Sequence, residues 1–286
     1  MKMIVKAVRI VVLALALLCF NACSNGRFQP SVTMTQEELE ELKRQKDTKA
    51  RELLESLLDN KEGQRAAKEA IAFCDEGLPS GCYVIGSLRL RGLYGVEKDL
   101  DEAMSYLKKG CDDNYARACH ALGDGYAMQE DEQKALYYYK RAASMGDLLG
   151  NFAVGQHYLK SDPSLSMGYF EIACDGYFAR ACVSLAAIYR ERGGMLQAYA
   201  YEDMACDLGD SLGCYNSATR NYFDKRYDDA LDKFTKSCKL GRYPSCERAI
   251  DLIEKDQTRF TKRQKEQLLE NITKIIEYNA QNNKFL

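Results

Sequence analysis

Histidine is nearly absent from this chain: His120 and His157 are the only two in 286 residues. Imidazole is the side chain whose ordinary pKa suits proton transfer near neutral pH, so a catalytic system built on histidine is a poor fit. A glycine-rich phosphate loop, a His-Glu-x-x-His pair and a nucleophile elbow are missing as well, and with them the nucleotide-binding, zinc-protease and α/β-hydrolase signatures. Cys-x-x-Cys does not occur, which removes the clustered ligands a structural zinc would want. Charge of one sign is also lacking. Forty Lys and Arg stand against 42 Asp and Glu, interspersed to a net −2, so no basic face for nucleic acid is present. No cofactor is expected.

Cysteine is what the chain has instead: 12 residues, ten of them in pairs eight positions apart. Cys74 pairs with Cys82, Cys111 with Cys119, Cys174 with Cys182, Cys206 with Cys214, and Cys238 with Cys246. The last three pairs begin 32 residues apart, and Cys111 to Cys174 spans 63, close to two such steps. A fixed spacing inside a fixed period is one supersecondary unit copied along a solenoid, each copy stapled by its own disulfide. On one continuous helix the paired cysteines would lie ~12 Å apart, too far to bond; across a helical hairpin they meet. One copy has Ala143 and Asn151 at the two positions, so that hairpin holds by packing alone, and a metal or redox role for the cysteines loses ground.

Counted from the first cysteine of each copy, small or apolar residues recur on one helical stripe. Position −8 holds Ala103, Ala135, Ser166, Ala198 and Ala230; position −5 holds Tyr106, Tyr138, Tyr169 and Tyr201. Position −4 holds Leu107, Tyr139, Phe170 and Phe234, with Glu202 as the polar exception, and position −1 holds Gly110, Ala142, Ala173, Ala205 and Ser237. Gly77, Asn114, Gly146, Gly209 and Gly241 at +3 suit a left-handed helix end, so a turn and a second helix follow. Gly86, Gly123 and Gly155 in that second helix predict close approach to a neighbouring helix, and Tyr126, Tyr158 and Tyr189 share a position further along it.

The ends read differently. Lys2, Lys6 and Arg9 precede the apolar run Ile10–Leu18, nine residues and too short to span a bilayer, which reads as a signal peptide over residues 1–22. Phe20-Asn21-Ala22-Cys23 resembles a bacterial lipobox, although Phe20 stands where Leu is usual. Acylation of Cys23 would also explain the one exported cysteine without a pair, and by resemblance to Gram-negative lipoproteins Ser24 after it points to the outer membrane. Residues 23–34 then form a tether. Thr35-Gln36-Glu37-Glu38 reads as a capping box opening an N-terminal capping helix over 35–62, with Leu39, Leu42, Leu53, Leu54, Leu57 and Leu58 as its apolar face. A C-terminal cap over 256–286 holds a helix near 262–279 with Leu268, Leu269, Ile272, Ile275 and Ile276 on one side.

Gly92-Leu93-Tyr94-Gly95-Val96-Glu97-Lys98-Asp99, with Glu102-Ala103 and Tyr106-Leu107, resembles the Sel1-like repeat, a relative of the tetratricopeptide repeat. Cys-x7-Cys within such repeats is similar to the Helicobacter cysteine-rich protein family of exported proteins. The resemblance covers about residues 63–255 and implies an all-α, right-handed α/α solenoid of about six helix-turn-helix units. It implies a scaffold at the cell envelope that binds a protein or peptide, attached to the membrane through lipid alone. The alternative it carries is a β-lactam hydrolase or penicillin-binding protein, since family members are often labelled so. Ser105-Tyr106-Leu107-Lys108 fits Ser-x-x-Lys, but the companion motifs are missing and Ser105 falls on the polar side of its helix, so Ser105 and Lys108 are weak catalytic candidates.

The candidate binding surface comes from positions −9, −6 and −2, a stripe away from the packing face. It is polar before Cys111 and before Cys238, but between them it turns apolar: Leu165, Gly168 and Ile172, then Gln197, Ala200 and Met204, flanked by Tyr137 and Arg141. Two readings remain open: a partner surface, or a flank covered by a neighbouring repeat.

Overall fold

The computed structural model describes residues 35–255 and 260–282; the signal peptide, Cys23 and the tether lie outside the described residues. All regular structure among them is α-helical. The described residues fall into two units, 35–44 and from Gln45 onward. Helix α1 (Gln36–Asp59) opens on a reciprocal cap, Thr35 N donating to Glu38 Oε2 at 2.9 Å and Glu38 N to Thr35 Oγ1 at 3.2 Å.

Six helical hairpins follow: α2 (Gly63–Asp75) with α3 (Pro79–Arg91), α4 (Leu100–Asp112) with α5 (Ala116–Met128), and α6 (Glu132–Ser144) with α7 (Leu148–Tyr158). Then come α8 (Pro163–Asp175) with α9 (Ala179–Glu191), α10 (Met195–Asp207) with α11 (Ser211–Phe223), and α12 (Tyr227–Lys239) with α13 (Tyr243–Lys255). Helix α14 (Lys262–Gln281) closes the described chain. From α2 to α14 each helix packs on its sequence neighbours, which makes this an α/α solenoid. Aspartates start many of the helices by accepting a hydrogen bond from the backbone three residues on: Asp99 from Glu102, Asp131 from Lys134, Asp162 from Leu165 and Asp210 from Gly213.

All five expected disulfides are formed, each within one hairpin. Cys74 bonds Cys82 across α2 and α3 with its Cα 4.6 Å away, and Cys111 bonds Cys119 across α4 and α5 at the same 4.6 Å. Cys174 bonds Cys182 across α8 and α9 at 5.0 Å, Cys206 bonds Cys214 across α10 and α11 at 4.2 Å, and Cys238 bonds Cys246 across α12 and α13 at 4.8 Å. Only the meeting of two helices brings Cα atoms eight residues apart so close. In the third hairpin Asn151 replaces the second cysteine, is buried, and satisfies its amide by donating to Asp147 O at 2.9 Å.

The glycines of the second helices explain how one hairpin seats the next. A Cβ on Gly86 would stand 2.6 Å from Leu107, one on Gly123 2.5 Å from Tyr139, and one on Gly155 2.6 Å from Phe170. Each of those partners is the −4 residue of the following hairpin, so a small residue receives a large one at every such seam. Tyr126 stacks on Tyr138 at 5.3 Å and Tyr189 on Tyr201 at 5.5 Å, repeating one aromatic contact across two seams.

Two positions depart from the repeat pattern, and one expectation, the apolar face of α1, needs correction. Glu202, the polar exception at −4, is fully buried and forms an ion pair with Arg190 of α9, so the carboxylate occupies an apolar slot. Leu39, Leu42 and Leu53 of α1 are exposed; burial in this 24-residue helix is confined to Ala50, Leu54 and Leu57. In the fourth hairpin the left-handed turn position is taken by Tyr177, at φ +68°, and the glycine stands one residue earlier at 176, where Leu148 presses against it and leaves no room for a side chain. Helix α14 matches its expected place, burying Ile272 and Asn279; Asn279 Nδ2 donates to Cys238 O at 2.8 Å.

Candidate functional site

The stripe on the first helices of the hairpins is open. Tyr137 is 61% exposed, Ile172 54%, Met204 43% and Leu165 42%, and Ala200 is exposed beside them. Leu196 at the start of α10, which the sequence reading passed over, is 81% exposed and extends the same line at i, i+4 and i+8 through Ala200 to Met204. Large apolar side chains left in water over three successive hairpins are what a partner surface requires.

Two members of the stripe are less free than the pattern suggested. Arg141 is partly buried: Nη1 pairs with Asp112 Oδ1 at 3.2 Å and Nη2 donates to Cys111 O at 2.8 Å. Met204 lays Sδ 3.4 Å from Cys174 Sγ. At position −2, Arg141 and Met204 therefore touch the preceding hairpin while still facing out, whereas Ile172, the same position on α8, is more exposed.

Ser105 and Lys108 are not assembled into a catalytic pair. Lys108 Nζ donates to Asp112 Oδ2 at 2.6 Å, and that hydrogen bond together with the Asp112 charge raises its pKa, the wrong direction for a base. A different Ser–Lys contact, invisible in the sequence, does form. Lys233 Nζ donates to Ser217 Oγ at 2.5 Å and to Asp203 Oδ1 at 2.7 Å, and Ser217 Oγ also bonds Asp203. Arg220 Nη2 donates to Asp203 Oδ2 at 2.6 Å while its guanidinium lies 4.7 Å from the Tyr199 ring. Burial pushes the Asp203 carboxyl up, but hydrogen bonds from Lys233, Ser217 and Arg220 outweigh it and hold the pKa at about 2. Lys233 is thus a paired cation and Ser217 is fully buried. The cluster ties α10, α11 and α12 together and offers no activated nucleophile.

It does predict an acid response. A folded pKa of about 2 against the ordinary 3.8 means the contribution of Asp203 is complete above pH ~4 and is lost as pH falls through 2. The side chain is 41% exposed, so screening reduces the nominal shift to about 1 kcal/mol. Urea titrations of wild type and Asp203→Asn should differ by that amount at pH 5 and converge towards pH 2; a gap constant across that range would refute the assignment.

A cleft of about 460 Å³ opens between α5, α6 and α7, lined in part by Glu130, Glu132, Leu136, Tyr139 and His157. Burial, then Asp124, raises the Tyr139 phenol, which donates to Asp124 Oδ1 at 3.0 Å. Its lining sets no acid–base pair against a nucleophile. Among the described residues no group of three His, Cys, Asp or Glu could hold a metal, and no helix is long and apolar enough to cross a membrane.

Comparison with known proteins gives the same architecture. The Sel1 repeat family matches residues 79–115, 114–147 and 149–177. The curated relatives include cytochrome c oxidase assembly factor 7 of Xenopus tropicalis, 29% identical over a 168-residue alignment that covers 51% of this chain and 71% of that protein. Among solved structures, a Sel1 repeat protein from Oxalobacter formigenes superposes with a TM-score of 0.63 at 17% identity, covering 78% of this chain and 99% of that one. A protective antigen of uropathogenic Escherichia coli with an SLR fold superposes with a TM-score of 0.54 at 18% identity, over 75% of this chain and 49% of that one. At these identities the superpositions speak to fold.

Proposed function

Because this chain carries Sel1 repeats, a scaffold suited to binding proteins, we propose that it is an envelope lipoprotein that holds a protein or peptide partner on the first-helix face of α6, α8 and α10. The observation that carries the reading is the exposed line of Tyr137, Leu165, Ile172, Leu196 and Met204 on the first helices of three successive hairpins. The relative named as an assembly factor fits a protein-handling role. Anchoring rests on the sequence: the lipobox-like Phe20-Asn21-Ala22-Cys23 would place a lipid on Cys23, and Ser24 after it supports an outer-membrane address. Disulfide-stapled repeats suit such an oxidising compartment.

The test joins both halves of the proposal. Crosslinking on intact envelopes should capture a partner with wild type and lose it with Ile172→Asp, whose melting temperature should stay within about 2 °C of wild type, as befits an exposed site. A large drop in melting temperature would mean that the stripe is structural and the site wrong. Labelled palmitate should enter wild type and not Cys23→Ala; incorporation by neither would remove the anchor.

A further inference from the structure

Across the first seams, a rung of charge closes the first-helix face. The aspartate one residue past a first cysteine meets the cation two residues before the first cysteine of the next hairpin. Asp75 meets Lys109 at 3.7 Å, and Asp112 meets Arg141 at 3.2 Å. On α8 and α10 the cation is gone, although it returns on α12 as Lys236. Ile172 and Met204 stand in its place, and Met204 keeps only the packing half of the role, against Cys174.

Opposite Ile172 the acid is absent too, replaced by Ser144, but beyond that seam the acids stay. Asp175 and Asp207 occupy the aspartate position on α8 and α10, both exposed and in no ion pair among the described residues, and Glu171 nearby has none there either. Neither helix contains a Lys or Arg; of their five acids, Glu202 is taken up by Arg190, and Asp203 by Arg220 and Lys233. A carboxylate on the last residue of a helix also faces the negative end of its dipole, so Asp175 and Asp207 are unfavourable where they stand. The Tyr201 phenol registers the field: its pKa is raised by burial, by Tyr189, and then by Glu171 and Asp175.

The apolar floor carries a second anomaly. Gly168 lies inside α8, where glycine weakens a helix, yet a Cβ built there meets nothing within 4 Å. Every other glycine inside a described helix is pressed by a neighbour. Gly168 leaves a notch between Leu165 and Ile172, with Ala200 as the equivalent small residue on α10.

We propose that the face of α8 and α10 takes a segment of another protein that lays apolar side chains over Gly168 and Ala200 and sets a lysine or arginine on Asp175, supplying the rung this chain omits. The proposal rests on the binding-face reading above and names the chemistry of the partner. Charge complementarity decides it: an apolar surface bordered by unpaired carboxylates on helices without a cation selects a basic apolar segment over an acidic one.

A random 12-residue peptide library displayed on phage and panned against the oxidised full chain tests it. Clones should combine apolar residues with at least one Arg or Lys, and synthetic copies should lose about tenfold in affinity against Asp175→Asn and when that basic residue becomes Gln. Gly168→Leu should block them by filling the notch. Met204→Arg should restore the rung internally, keep the melting temperature and abolish binding. Clones that depend on Ile172 but carry no basic residue, or ignore Asp175→Asn, overturn this inference and leave the scaffold reading standing. Recovery of no clone sensitive to Ile172→Asp overturns both. Sedimentation showing a dimer lost on Ile172→Asp would make a second copy of the chain the occupant and likewise overturn the proposal.

Discussion

Reduction of the five disulfides is expected to remove most of the thermal stability of this chain. Each bond closes a loop of about nine residues, contributing roughly 2.5 kcal/mol in the chain-entropy model. Five such terms are comparable to the whole stability of a typical domain, and residual structure in the reduced chain makes their sum an upper estimate. In a solenoid the loss is spread over repeats that contact only their neighbours, so the melt should broaden as well as fall. The hairpin of α6 and α7, held by packing around Ala143 and Asn151, should keep its amide protection under reductant, while the hairpins either side, which carry Cys111–Cys119 and Cys174–Cys182, lose theirs. All ten cysteines are buried, so reduction should proceed through local opening and be slow in the native state. Circular-dichroism melts with and without reductant, with hydrogen exchange by hairpin, read both effects. Superimposable melts would sink the prediction, as would peptide mapping that finds bridges between hairpins.

The solenoid was legible because its constraints are local and repeated. Cysteines eight apart demand a hairpin, and Gly77, Gly146, Gly209 and Gly241, all at positive φ, mark the same turn in each. What stayed hidden depends on pairs distant in the chain. Tyr177 keeps the left-handed +3 turn, but that Gly176 beside it must stay small follows from Leu148 pressing on it, a contact between two hairpins that no turn rule contains. Arg141 reads as a member of an open stripe until Asp112 and the Cys111 carbonyl, about thirty residues away, are seen to hold it. The pattern could place Ile172 and Met204 on a flank but could not say whether solvent or another repeat covered it; that is a matter of how successive hairpins pack. The Ser217–Lys233 contact had no signature at all, since each residue is ordinary in its own helix and the cluster exists only where three helices meet.

Arg190→Ala should destabilise the chain far more than removal of the acid it serves. Position −4 holds Leu107, Tyr139, Phe170 and Phe234 in other hairpins and faces the small residue of the preceding second helix. Glu202 occupies that slot on α10 at 1% exposure, with Arg190 as its counter-ion. Taking two charges out of water costs roughly what their attraction returns, so such a pair adds little net stability; leaving one of them alone is what costs. Arg190 is 43% exposed and can be replaced without a cavity, which leaves a buried carboxylate unpaired at a cost of about 3 kcal/mol. Glu202→Leu restores the residue type found at this position in the α4 hairpin and should be neutral or stabilising by about 1 kcal/mol, because Arg190 can turn its guanidinium to water. The double variant Arg190→Ala/Glu202→Leu should then recover nearly all the loss, giving a coupling of about 3 kcal/mol in a double-mutant cycle. Urea midpoints at neutral pH measure all four species. If Glu202→Leu is itself destabilising by about 2 kcal/mol or more, the ion pair is a net stabiliser of the α9–α10 seam, and the view of Glu202 as a carboxylate in an apolar slot is wrong.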